Sequence, residues 1–243
     1  MDKVNERDPR AGLRRLRLRA LFAAAASIAL ASLYFFVRLR FKDGLWAFDL
    51  YLFNKSLATS SLFLVSLSMI LTAAGYFSKG PTRALTYRRH YGLAGFWVGL
   101  VHGAVSHFLL PSRFPLPTWI GDHPAAAATG LASLLLFGAM AATSDARVKA
   151  RMGGELWRRA LRYAGYAALI IAVVHSGIIK WGSWTNYLRT FGSVLPSLSL
   201  PVVLFALAAV VLRLVMWRSR ARKKVLSATA GELSGGSGRG GRP

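Results

Sequence analysis

The sequence predicts an all-α membrane protein, a six-helix transmembrane bundle with both termini cytoplasmic. Three observations carry that expectation. Of the 243 residues, 54% are hydrophobic, and the mean hydropathy is +0.39, above the range of soluble domains. Six apolar runs are each long enough to cross a hydrocarbon core of about 30 Å at about 1.5 Å per helical residue. The basic residues fall almost entirely outside those runs, and most of them lie on one side of the implied membrane.

The first run, 20–37 (ALFAAAASIALASLYFFV), follows a basic segment. It is too long for the apolar part of a cleaved signal and leads directly into more membrane, so it reads as an uncleaved signal anchor. The second, 59–77, is TSSLFLVSLSMILTAAGYF, and the third, 91–110, carries His102 and His107. The fourth, 123–143, opens at His123 and is rich in alanine; the fifth, 162–180, carries His175. The sixth, 196–217, contains Arg213, placed near the cytoplasmic end, where its head can snorkel to the interface.

Net charge is +23. Lys3, Arg7, Arg10, Arg14, Arg15, Arg17 and Arg19 precede the first run, and further clusters fill the second and fourth connections and the tail. In all, 24 basic residues lie on that side and seven on the other (Arg38, Arg40, Lys42, Lys55, Arg113, Lys180 and Arg189), which makes the first side cytoplasmic. Trp46, Trp119, Trp181 and Trp184 then mark the outer boundary, and Trp157 and Trp217 the inner one. Such a pattern explains the charge by membrane topology, so nucleic acid is not an expected partner. The expected organisation is a basic cytoplasmic segment 1–19, a membrane domain 20–217 and a disordered, basic, glycine-rich cytoplasmic tail 218–243. Absence of cysteine excludes disulfides, iron–sulfur clusters and thiolate-bound metals.

Polar rings inside hydrocarbon are costly, and a functional role is their default reading. With these orientations, the third and fifth runs travel in the same direction. His102 lies eleven residues past Tyr91 and His175 thirteen past Arg162, about 16 and 20 Å from the cytoplasmic edge. Two imidazoles at one depth on two helices suit the axial ligation of a haem iron. An interhelical hydrogen bond and a proton pathway are the competing roles. Gly95 and Gly99 precede His102 by seven and three residues, and Ala168 and Ala172 precede His175 likewise, with Gly103, Ala164 and Gly165 extending the pattern. Such stripes either let helices pack closely or shape a cofactor cleft. His107 is turned about 140° from His102 on an ideal helix; it is an interfacial residue or serves a second cofactor or a quinone. His90 and His123 face solvent.

The stretch RRHYGLAGFWVGLVHGAVSHF, residues 88–108, resembles the third helix of the ferric reductase-like transmembrane domain family: a basic pair (Arg88, Arg89), Gly92–Leu93, Phe96, then His102. Residues 143–181, with His175 ahead of Trp181, resemble the loop and fifth helix of one branch, the haem-binding membrane subunit of the bacterial periplasmic methionine sulfoxide reductase system. The likeness covers about residues 55–217. It implies a membrane oxidoreductase component of the bacterial inner membrane that carries haem b on His102 and His175. Family members often hold a second histidine pair thirteen or fourteen residues earlier; here those positions are Arg88 or Arg89 and Leu161 or Arg162. One haem is therefore expected. Arg88 and Arg89, with Arg158, Arg159 and Arg162, would meet lipid headgroups, propionates or a bound flavin or quinone.

No nucleotide-binding motif is visible, so electrons are expected from a quinol or a separate flavin reductase and pass to an acceptor protein on the periplasmic side. Arg113, Trp119, Asp122, Trp184, Asn186 and Tyr187 lie outside by position, where such an acceptor could dock. The alternative is a haem-free membrane structural or assembly protein, or a small transporter; against transport stands the scarcity of mid-membrane charge.

Overall fold

The computed structural model describes residues 9–44, 46–77, 83–144, 146–192 and 194–236. The described residues form α-helices joined by short connections, with no strand among them: α1 (Pro9–Asp43), α2 (Leu50–Phe77), α3 (Arg83–Ala104), α4 (Leu116–Asp122), α5 (Pro124–Thr143), α6 (Ala146–Met152), α7 (Gly154–Thr190) and α8 (Ser199–Gly236). Six of these, α1, α2, α3, α5, α7 and α8, are long and apolar enough to cross a membrane. Outward faces carry large apolar side chains such as Phe22, Leu30, Trp97, Leu135 and Leu204, which a bilayer covers and water would not. The chain is an integral multi-pass membrane protein, and six crossings return it to the side on which it began.

α2 is the central helix. Its flanks hold most of the core: Leu62, Val65 and Met69 meet Tyr166, Leu169 and Trp184 of α7 and Val202, Val203, Ala206 and Ala209 of α8. Because apolar contact gains little between helices already in lipid, close packing and hydrogen bonds must supply cohesion. α2 is built for both, with buried Asn54, Ser56, Thr59, Ser60, Ser66 and Ser68. Ser61 Oγ donates to the Gly95 carbonyl at 2.8 Å, and Ser68 Oγ to the Arg88 carbonyl at 2.8 Å. These two bonds join α2 to α3 along a seam of hydroxyls and glycines.

Helix ends depart from the apolar runs for local reasons. α2 begins at Leu50, not 59, because Asp49 Oδ1 accepts from the Leu52 amide at 2.8 Å and caps it. α1 starts at Pro9, so residues 9–19 of the basic segment continue the first span as helix; residues 1–8 lie outside the description. α8 runs to Gly236, so much of the expected disordered tail is helix, as the good helix formers in RSRARKKVLSATA allow; residues 237–243 lie outside the description. The short helices α4 and α6 sit in connections that the sequence reading left unassigned.

Candidate functional site

His102 sits near the end of α3, just before the helix loosens into a π turn at Val105–Leu109. Such turns frequently accompany functional sites. Its ring faces α2: Nδ1 lies 2.8 Å from Asn54 Oδ1. Asn54 Nδ2 donates to Ser106 Oγ at 2.8 Å, and Ser106 Oγ donates to the His102 carbonyl at 2.8 Å. That closed set fixes every proton. The serine proton is committed to a carbonyl, so Ser106 Oγ accepts from the amide. The amide oxygen is thereby left toward the ring, and Nδ1 must carry a hydrogen. His102 is held as the Nδ1–H tautomer with a lone pair on Nε2.

His175 reaches the same state by a shorter route. Its Nδ1 lies 2.8 Å from the Ala126 carbonyl of α5, which can only accept, so Nδ1 again holds the proton. The ring lies against Gly130, where an added Cβ would come within 2.8 Å of Cε1 and 2.9 Å of Nδ1. Gly130 is the missing side chain that lets α5 carry this imidazole. His175 is within electrostatic range of His102, and neither Nε2 has a hydrogen-bond partner among the described residues. α3 and α7 do not pack tightly on each other; α3 leans on α2 and α7 on α5.

The small-residue stripes have other duties. An added Cβ at Gly95 would meet Val65 Cγ2 at 2.7 Å and the α2 backbone at 3.0 Å, and one at Gly99 would meet Ser61 Oγ at 2.7 Å. Both glycines are closed by α2 and do not line a cofactor cleft. Ala168 is fully buried, Ala172 packs on the core cluster, and Gly165 receives the Met69 and Met140 methyl ends. These too are packing positions. The basic pair divides: Arg89 Nη2 donates to the Ser144 carbonyl at 2.7 Å, capping the end of α5, while Arg88 lies within electrostatic range of Tyr166 and Arg162. Arg213 is only 4% exposed, its guanidinium lying over the rings of Tyr166 and Trp217.

On the other side of the histidines, Tyr51 lies between two cations, Lys55 Nζ 4.0 Å and Arg113 Cζ 4.3 Å from its ring centre. Lys180, five residues past His175, is in electrostatic range of Tyr51, Lys55 and Arg38 and of His102. His107 lies within the π turn. It packs edge-on against Trp119 with ring centres 5.5 Å apart, and its Nδ1 is buried without a partner. Trp184 belongs to the core and donates to Ser199 Oγ at 3.0 Å, which removes it from any docking face. Asn54, Ser106, Ala126 and Gly130 escaped the sequence reading. Asn54 lies outside the apolar run 59–77, and Ser106, four residues past His102, is the one signal the sequence offers.

No group of three or more potential metal-ligating side chains occurs among the described residues; a porphyrin iron asks the protein for only two. No protein-family model matches the chain, and no curated protein matches it.

Proposed function

We propose that this chain is a haem b electron-transfer subunit of the ferric reductase-like kind, set in a bacterial inner membrane. One observation carries the reading. Two intramembrane histidines on different helices are locked into the same tautomer, each with Nδ1–H given to an oxygen and Nε2 left with a free lone pair. Axial imidazoles are held in this way, the outer-shell oxygen fixing ring orientation and strengthening the ligand. When bound, the haem supplies a one-electron redox couple. The chain's own contribution is positional. Asn54 and Ser106 orient His102, and Ala126 and Gly130 orient His175. Lys55, Lys180 and Arg113 supply positive charge on the outer side for the carboxylates of the macrocycle. Electrons would come from a quinol or a separate flavin reductase and leave to a periplasmic acceptor protein.

A second reading has its own support, since each histidine already makes an interhelical hydrogen bond. Both rings would then be struts of a haem-free membrane protein. The optical spectrum of protein purified from haem-replete cells separates the two. Red protein with a split reduced-minus-oxidised band, lost in His102→Ala and in His175→Ala and partly restored by added imidazole, supports ligation. Colourless protein supports the struts.

A further inference from the structure

A second polar cluster lies in the half of the bundle opposite to the Tyr51 cations, and the haem reading makes no use of it. Arg213 of α8 is 96% removed from solvent, with 4% exposure. Its guanidinium lies over the rings of Tyr166 at 5.3 Å and Trp217 at 5.2 Å. Among the described residues no oxygen meets any of its nitrogens: Nη1 contacts Met216 Sδ at 3.7 Å, and Nε is buried without a partner. Tyr166, 7% exposed, also keeps its hydroxyl buried and unpartnered. Arg88 of α3 and Arg162 of α7 stand within electrostatic range of both Tyr166 and Arg213. Among the described residues the ion pairs are Lys42–Asp43 and Arg159–Glu155, and no carboxylate is among the groups acting on this cluster.

A guanidinium cannot shed its charge. Holding such a charge among apolar side chains is costly, and two aromatic faces offset only part of that cost. Three guanidinium groups and one phenol hydroxyl from three helices therefore lack a common anion. Phosphate fits that donor set, because its oxygens accept from several planar forks at once. Depth agrees as well. Arg213 is fourteen residues along α8 from Ser199, about 21 Å of rise, and Trp217 one turn further marks the boundary. The cluster thus sits just beneath the level of the lipid phosphates.

From this we infer that Arg88, Arg162, Arg213 and Tyr166 form a phosphate-binding site at the inner end of the bundle, which takes the headgroup of an anionic lipid or a soluble phosphate. The site is independent of the histidine pair. The test is native mass spectrometry of the delipidated full chain with phosphatidylglycerol, phosphatidylcholine and inorganic phosphate as separate probes. Phosphatidylglycerol retained at least about tenfold better than phosphatidylcholine, with that preference lost in Arg213→Met, establishes the site and a lipid source. Inorganic phosphate retained by the native chain but not by Arg213→Met establishes the site and a soluble source. If neither probe binds, or if binding is equal in Arg213→Met, the inference fails. Should Arg213→Met not fold, Arg162→Gln at the half-buried rim carries the same comparison, and a rise in the melting temperature of the native chain with phosphatidylglycerol but not phosphatidylcholine stands beside it.

Discussion

Gly95, Gly99 and Gly103 look equivalent in the sequence, yet the structure gives alanine a different fate at each. At Gly95 the new methyl would lie 2.7 Å from Val65 Cγ2 and 3.0 Å from both Ser61 O and Val65 N. Backbone cannot step aside, so α2 and α3 must separate by several tenths of an ångström. Overpacking of that kind costs about 1–3 kcal/mol, and the separation also strains the Ser61 bond to the Gly95 carbonyl. At Gly99 the obstacle is Ser61 Oγ alone, at 2.7 Å. A hydroxyl can rotate, at the expense of that same hydrogen bond, worth about 0.5–1.5 kcal/mol. At Gly103 nothing lies within 4 Å, and alanine should stabilise the helix by up to about 1 kcal/mol.

Thermal unfolding of the three variants in one detergent reads the series. Gly95→Ala should melt lowest and Gly103→Ala at or above the native chain, with Gly99→Ala between them. A Gly103→Ala protein as damaged as Gly95→Ala would refute the assignment of this stripe to the α2 seam. So would a Gly95→Ala protein that keeps its melting temperature and loses only a bound chromophore, since that is the behaviour of a cleft lining.

Three further substitutions probe the histidine supports and the helix ends. Gly130→Ala drives a methyl to 2.8 Å from the His175 ring. It should displace the imidazole from Ala126, lower the melting temperature and, in pigmented protein, alter the low-spin electron paramagnetic signal; an unchanged signal in red protein would contradict the placement of this ring. Asn54→Leu removes the amide that fixes the His102 tautomer and leaves Ser106 Oγ without its donor. In protein that carries haem as proposed, loss of such an outer-shell partner should weaken its retention by about 10–100-fold, measured by competition with apomyoglobin. Arg89→Ala removes an exposed cap from the end of α5 and should cost less than about 1 kcal/mol; a larger loss of melting temperature would show that Arg89 does more than cap.

What could be read from residues alone tracks what is local. Spans are legible because about twenty consecutive apolar residues have few soluble alternatives, and the alanine-rich fourth run, 123–143, falls within one residue of α5. The start of α2 was not legible: Lys55 and Asn54 break the apolar run, and only the Asp49 cap and the partners of those side chains explain why helix continues through them. The histidines stood out by cost, but their supports did not, since a partner at position 54 or 126 is a fact of packing. Stripes misled for the same reason. A small residue reads identically whether the space beside it holds a neighbouring helix or a ligand, and at Gly95 and Ala168 the protein itself fills that space. Arg213 was placed by its sequence distance from the helix end, whereas Tyr166 and Trp217 draw it inward.

The bracing of the two imidazoles has a mechanical consequence. His102 is tied to α2 and His175 to α5, so each ring is fixed within its own helix pair, α2 with α3 and α5 with α7. The separation of the rings is then set by how one pair rests on the other. Met69 of α2 and Met140 of α5 contribute to that contact, both ending against the bare face of Gly165. Methionine ends are flexible and tolerate small changes of spacing at little cost, whereas the ring hydrogen bonds at 2.8 Å are not so forgiving. A group that required the rings slightly nearer or farther apart would be met by movement between the pairs, with both tautomers undisturbed. An arrangement that keeps the orientation of each ring stiff and their spacing adaptable is what the proposed haem ligation would ask of these two helix pairs.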